Sequence, residues 1–378
     1  MLRRQASEHG PDAPATREAL SPGELAAAEA DAGFTPGEVN RVRVRYHIGS
    51  LVRARPLLAG SPLAPKMVLV GSSSGPVVLK RLAPGYDEPA FVHVAHSIHR
   101  RLEAHGFPVA SLLSTREGGS ALRLGGRTFE VSAFVRGGRC DRSAEQTRQA
   151  GEALGRYHAL LINAHTHLGG IGRSVGEPRT GVYHDDARIR RSLARLPAML
   201  DHPGADELAA RLGALYERAA HRARVALEGS EAQIVHGDWH PGNLLYHGGR
   251  IVAVLDHESA GLAPCMLDVG NGALQFSIQA SGPDPRLWPT QPDARRLAAF
   301  LEGVRGGRAL AGSPGLSMTA MEALPWLMAE ALIAEAAVPI ASTGSFHGRD
   351  PAAFLRMVAR KAQWLADNPA RLLEHAGD

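Results

Sequence analysis

The chain has 378 residues, of which 44% are hydrophobic and 5% aromatic, and carries a formal net charge of +4. That length suits two or three core units and that composition an ordinary globular protein. No apolar run approaches 18 residues, which argues against a membrane span, and the arginines are dispersed without interleaved aromatics, which argues against nucleic acid as a partner.

Residues 1–20 carry basic residues with no apolar core behind them, so a disordered tail is expected there rather than a secretory signal. "SPGE" (21–24) and "TPGE" (35–38) each supply a Ser or Thr N-cap, Pro in the first turn and Glu at the third position. They predict helices through "LAAAEADAGF" and "VNRVRVRYH". The period then changes. "LVRARPLLAG", "KMVLVG" and "PVVLKRL" are short aliphatic runs punctuated by Gly, Pro and Ser, and read as strands. "GSSSG" (71–75) reads as the hairpin turn between the last two. A helix is expected over 88–105 and is closed by "GFP". "SLLST", "SALRL" and "RTFEVSAFV" read as further strands. Helical spacing returns at 143–164, 186–199 and 204–228, and again from "MEALPWLMAEALIAEAA" to "PAAFLRMVARKAQWLADN".

A mostly β front and a mostly α back imply an α+β fold in two lobes. The expected boundaries are an N-lobe with leading helices at 21–135 and a C-lobe at 136–378, with a ligand cleft between them. Cys140 and Cys265 are the only cysteines, so no disulfide framework is expected and a reducing cytoplasm fits.

The chemistry is concentrated in "VHGDWHPGNLLYHGGRIVAVLDHES" (235–259). His236, Asp238, His240 and Asn243 fall within eight residues, and an apolar run then ends in Asp256. Three readings compete. In an extended segment His236, Asp238 and His240 share a face, and with Asp256 and His257 they could bind zinc or iron as a metallohydrolase. His165 and His167 are the other histidines such a site could draw on. Alternatively, Asp238 could orient an acceptor hydroxyl while Asn243 and Asp256, joined by a short hairpin, share one Mg²⁺ for phosphoryl transfer. The structural alternative is that these groups merely satisfy loop backbone.

"HGDWHPGN" followed by "VLDHE" resembles the catalytic and metal segments of the aminoglycoside phosphotransferase/choline kinase-like family, small-molecule relatives of protein kinases. The resemblance implies a bilobal protein-kinase-like fold with a small β-rich N-lobe and a larger helical C-lobe. It also implies ATP and Mg²⁺ as cofactors. By position, Asp238 matches the catalytic base, His236 a brace of the catalytic loop, and Asn243 and Asp256 the metal ligands. Asp268, in "PCMLDVGNG", matches an acid that bonds the loop. Lys80 in "PVVLKRL" matches the phosphate-binding lysine of the third strand.

Lysine occurs only at positions 66, 80 and 361, so an ammonium kept inside an apolar strand is notable on its own terms. The nucleotide loop is expected at 57–66, with Gly60 and Ser61 its turn residues. The adenine contact is expected from "EVSAF" (130–134), at Ser132 and Phe134. An acid from helix 88–105 is expected to pair with Lys80, although Ala95 and His96 stand where it should fall, with Glu88 and Glu103 nearby. The acceptor-side segments 181–228 and 282–310 are not rich in acid, which favours a neutral or anionic hydroxylated acceptor over a polycationic aminoglycoside. A nucleotide-binding pseudokinase is the alternative from another functional class.

Overall fold

A computed structural model describes residues 19–58, 60, 63–162, 164, 186–200, 202–346 and 348–377. Most of the expected tail, together with Ser61, His165, His167 and Asp185, lies outside the described residues. The chain divides into two compact units: Met1–Asp87 with Ser111–Phe134, and Glu88–Ala110 with Val135–Asp378.

The first unit opens with α1 (Pro22–Ala32), where Ser21 and Glu24 form the capping box read from the sequence. "TPGE" behaves differently. Thr35 donates its N–H and hydroxyl to Glu38, but the N-cap of α2 (Glu38–Arg43) is Gly37 in the left-handed region. Only the glutamate arm of a capping box is made, and it closes a turn before the helix starts. The sheet consists of β1 (Leu51–Pro56), β2 (Lys66–Gly71), β3 (Pro76–Arg81), β4 (Leu122–Leu124) and β5 (Arg127–Ala133). It is antiparallel, in the order β1-β2-β3-β5-β4.

Alternation sets its two faces. Met67, Leu69, Val77, Leu79, Phe129 and Val131 point into a core completed by Phe34, Val39, Val42 and Tyr46. Each such side chain contributes about 1.5–3 kcal/mol on full burial. The intervening residues form the opposite face. "SLLST" is not a strand; Leu112 and Thr115 make only isolated bridges, to Ser132 and Tyr46.

The second unit is mainly helical. In chain order it holds α3 (Pro89–Ala104), α4 (Ala144–Leu161), α5 (Asp186–Met199) and α6 (Ala205–Ala226). Two small antiparallel pairs follow: β6 (Ala232–Val235) with β9 (Gly261–Pro264), and β7 (Leu244–His247) with β8 (Arg250–Val254). Then come α7 (Met266–Ser277), α8 (Ala294–Leu310), α9 (Met318–Met321), α10 (Leu324–Thr343), α11 (Pro351–Asp367) and α12 (Pro369–Gly377). The sequence reading placed 88–110 in the front lobe. In the structure α3 packs on α4 and on the turn at His257–Ser259, and so groups with the second unit.

Among the described residues one stretch, Met318–Thr343, is apolar and long enough by composition to cross a membrane, and 78% of its most apolar 18-residue window is buried inside the protein. α4 lies directly on α8. A Cβ at Gly151 would sit 1.9 Å from the carbonyl oxygen of Phe300, so only glycine permits this approach. The far end of α4 carries His158 into the site.

Candidate active site

β6 ends at Val235, and the chain then turns through His236-Gly237-Asp238, with Gly237 at φ +79°. A buried carboxylate holds this loop. Asp268, in the first turn of α7, accepts the N–H of His236 at 2.7 Å and of Gly237 at 2.8 Å, and bonds Nε2 of His158 at 2.9 Å. Burial alone would raise its pKa, but the His158 bond and charge, the His236 field and the loop donors outweigh it and keep the carboxyl below its ordinary value.

His236 is fully buried and joins two segments. Its Nδ1 accepts the N–H of Asp238 at 3.3 Å, which leaves Nε2 to donate to the Leu255 carbonyl at 3.0 Å. Burial lowers its pKa, which favours the neutral ring. With both nitrogens on backbone groups, His236 is a brace and not a metal ligand. His257 is also buried, stacked on Tyr157 and edge-on to His99 and His236. The zinc or iron reading built on His236, Asp238, His240 and His257 is therefore not supported.

Asn243 and Asp256 meet at the open end of the β7–β8 hairpin. Leu244 pairs with Val254, and the N–H of Leu255 donates to the Asn243 carbonyl at 2.9 Å. Asp256 follows at φ +58°, a left-handed conformation that costs a non-glycine residue about 1–3 kcal/mol. The packed ring of His257 holds the next residue in place. Asn243 Nδ2 donates to the backbone carbonyl and to Oδ2 of Asp238, at 2.9 and 3.0 Å. Its amide oxygen is thereby oriented away from Asp238.

An amide oxygen and a carboxylate are hard donors suited to Mg²⁺. Among the described residues, no group of three His, Cys, Asp or Glu side chains could hold a metal ion by itself. A Mg²⁺ held by one or two protein oxygens takes its remaining ligands from water and phosphate. The residues present therefore fit the implied magnesium.

Asp238 is held by the loop yet reachable, with its side chain 45% exposed. His240 Nε2 lies 3.4 Å from its Oδ2. Burial raises the Asp238 pKa, but the hydrogen bond and charge of His240, the His236 field and the Asn243 amide lower it further, leaving it below the usual aspartate value. It is an ionised acceptor at neutral pH, suited to orienting a hydroxyl.

In the first unit, the face of the sheet opposite its core carries two rows. Val68, Val78 and Ser132 stand opposite one another on β2, β3 and β5, and Lys66, Lys80 and Glu130 form the next row. Lys80 is buried, with Nζ 3.9 Å from Glu130. The carboxylate beside Lys80 is thus its cross-strand neighbour, a position the sequence reading did not consider. Lys66, directly opposite Lys80 on β2, is another of the three lysines, and no motif in the sequence marks it. Gly60, at φ +79°, lies against it: a Cβ there would be 3.3 Å from Lys66 Nζ. The third lysine, Lys361, donates to the carbonyls of Gln279 and Pro289 and is structural. The N–H of Phe134 donates to the Pro76 carbonyl, and that of Ala133 to Ser111. Those two donors are committed within the unit, so an adenine contact at Phe134 would have to use another group.

Residues 58–313 match the phosphotransferase enzyme family. The chain belongs to that family. Comparison with curated proteins gives no match by sequence. Among solved structures, an amicoumacin kinase, hAmiN, in complex with AMP-PNP, Ca²⁺ and Ami superposes with a TM-score of 0.63 at 14% identity, covering 90% of this chain and 95% of that one. A microcompartment-associated aminopropanol kinase gives 0.62 at 16% identity, covering 88% and 98%. Choline kinase from Cryptosporidium parvum Iowa II gives 0.54 at 13%, covering 85% and 90%. This phosphotransferase thus has the α+β fold expected from its motifs, and shares that fold with small-molecule kinases.

Proposed function

We propose that this phosphotransferase moves the γ-phosphoryl group of ATP to a hydroxyl of a small metabolite or antibiotic, with Mg²⁺ as its metal. The observation that carries the reading is the open end of the β7–β8 hairpin, where Asn243 and Asp256 emerge together while Asn243 is bonded to Asp238. Oxygen ligands and an ionised acceptor carboxylate in one braced loop are what phosphoryl transfer requires.

In this reading Asp238 orients the acceptor hydroxyl and receives its proton as the new O–P bond forms. The bond from the γ-phosphorus to the bridging oxygen breaks, and ADP leaves. Asn243 and Asp256 hold the magnesium, which when bound neutralises phosphate charge. Catalysis is then mainly positioning and charge stabilisation. In the first unit, Lys80 and Lys66 bind phosphate oxygens. The two lysines stand directly opposite each other on β2 and β3, so both ammonium groups belong to one face of the sheet. Val68 and Val78, one row along, offer an apolar platform for the base. Gly60 lets the chain turn close over Lys66.

The test is ATP binding by calorimetry with and without Mg²⁺, followed by ADP release across an acceptor screen. Metal-dependent binding with acceptor-dependent release is the expected result. Binding without turnover on any acceptor would favour the pseudokinase instead.

A further inference from the structure

We propose that Cys265 is a site of oxidative modification, taken by a hydroperoxide to a sulfinic acid whose anion is held by the buried guanidinium of Arg308. The thiol lies at the N-terminus of α7 and is not one of the groups assigned to phosphoryl transfer.

Helix packing brings the two residues together. α4 and α8 run parallel. A Cβ at Gly151 would meet the Phe300 carbonyl oxygen at 1.9 Å, and one at Gly155 would meet that of Val304 at 2.3 Å and the backbone nitrogen of Arg308 at 2.8 Å. α7 runs the other way. Near its C-terminal end the Phe276 ring stacks on Phe300, with centroids 5.5 Å apart. At its first turn Asp268 bonds His158, which is three residues past Gly155 on α4. Arg308 is therefore level with the first turn of α7, and its charge acts on the Cys265 thiol.

Arg308 is 5% exposed. Its Nε donates to the Pro314 carbonyl at 2.7 Å, whereas its Nη1 is buried with no hydrogen-bond partner. Among the described residues no carboxylate forms an ion pair with it. A cation buried without an anion is costly. Ser313, whose N–H closes a turn on the Arg308 carbonyl at 2.9 Å, adds a buried hydroxyl that also lacks a partner. Cys265 is the N-cap residue of α7, and no side-chain cap bond serves the first-turn N–H groups. The surroundings are short of an anion on three sides.

The resting thiol does not supply one. Burial pushes the Cys265 thiol up, and the Arg308 charge offsets only part of this. Oxidation does supply one, because a sulfinic acid is ionised at neutral pH and extends two oxygens beyond the sulfur. Cys265 is a free thiol and half-buried, so a small oxidant reaches it. The sulfur attacks the outer peroxide oxygen; an S–O bond forms and the O–O bond breaks. The departing oxygen takes the thiol proton and leaves as water or an alcohol. Sulfur has lost two electrons and the peroxide has gained them, giving a sulfenic acid. A second hydroperoxide repeats the step and leaves the sulfinate and a proton.

Asp268, three residues along, holds the N–H groups of His236 and Gly237. A sulfinate drawn onto Arg308 pulls on the turn that carries this brace and loosens the loop at 236–243. Cys140 is the internal control: its sulfur accepts the Arg142 N–H at 3.4 Å, and Arg142 is exposed.

The experiment treats the full chain with hydrogen peroxide and, separately, tert-butyl hydroperoxide. It follows both cysteine-containing peptides by mass spectrometry and residues 236–243 by amide hydrogen exchange, for wild type, Cys140→Ser, Cys265→Ser, Arg308→Met and Arg308→Lys. Sulfinate is expected at Cys265 in about tenfold or greater excess over Cys140, and Arg308→Met is expected to remove most of that excess. Exchange at 236–243 is expected to rise on oxidation in wild type and Cys140→Ser, and to stay at its starting level in Cys265→Ser. If Arg308→Met does not fold, as judged by circular dichroism, Arg308→Lys carries the test and is expected to lower the sulfinate yield, since an ammonium lacks the paired donors of the guanidinium. A Cys265 thiol that persists under excess hydroperoxide, equal sulfinate at the two cysteines, a yield indifferent to both Arg308 substitutions, or unchanged exchange at 236–243 overturns the proposal. All of these readouts are independent of phosphotransferase turnover.

Discussion

The two units treat buried charge in opposite ways. The second unit buries Asp268 completely and surrounds it with three donors, so that its charge is fully answered by protein. The first unit lines two lysines and one glutamate across a sheet, on the face away from its core. A charge saturated by buried donors is a brace, whereas charged side chains grouped on one sheet face offer a ligand several contacts at once. The same contrast recurs inside the second unit, between the buried Asp268 and Asp238, whose side chain is 45% exposed.

The largest expected effect breaks that contrast on the reactive side. Asp238→Ala should lower turnover by about 10²–10⁴-fold, and Asp256→Ala by at least about 10²-fold. Both should leave the thermal unfolding midpoint close to wild type, because neither side chain is a saturated brace. ADP release and calorimetry on the same samples check this, and an active Asp256→Ala enzyme would overturn the metal assignment.

On the bracing side, Asp268→Ala strands buried donors and should cost about 3–5 kcal/mol of stability in denaturant unfolding. Unchanged stability would remove the distinction drawn here between brace and reactive group.

The lysines sharpen the comparison. Lys80→Met and Lys66→Met should each weaken ATP binding by about tenfold, or 1.4 kcal/mol. Lys361→Met should leave ATP affinity alone and lower stability instead, since its ammonium serves two backbone carbonyls. Titration calorimetry of the three variants gives the comparison directly.

The smallest effects are in the pH dependence. Folding holds His236 below its ordinary pKa of 6.5. The unfolded chain therefore binds a proton that the folded one refuses, and stability should fall as pH drops below about 6.5. The depressed Asp268 adds to this loss below its ordinary value of 3.8. Glu335 works in the other direction. Its folded carboxyl keeps a proton from 4.5 up to about 7, so its contribution is lost as pH rises through that window. Glu335→Gln should therefore stabilise the protein more at pH 8 than at pH 5. Unfolding midpoints across pH, for wild type and this variant, test both signs.

Much of the site was legible because it is local. Asp238 and Asn243 lie five residues apart in one loop, and a short hairpin brings Asp256 back to them, so spacing alone brings the three together. The strands of the front unit were legible from alternation and from Gly, Pro and Ser punctuation, and α1 from its capping box. What failed was of another kind. "SLLST" has strand composition but finds only isolated partners, because pairing is a tertiary event. "TPGE" makes only the glutamate arm of a capping box and does not start a helix at Thr35, because Gly37 takes the cap position.

By itself, the sequence determined the phosphotransferase family, the loop and hairpin of residues 235–259, and the alternating faces of the front sheet, since all of these depend on near neighbours along the chain. Only the tertiary structure decided that Glu130 stands beside Lys80, that Lys66 faces Lys80, and that Gln275 reaches Glu335 from another helix. Those pairings are set by strand register and helix packing across 14 to 60 positions of sequence. No local pattern encodes them, because the free energy that fixes them comes from burying whole faces rather than from the residues that meet there.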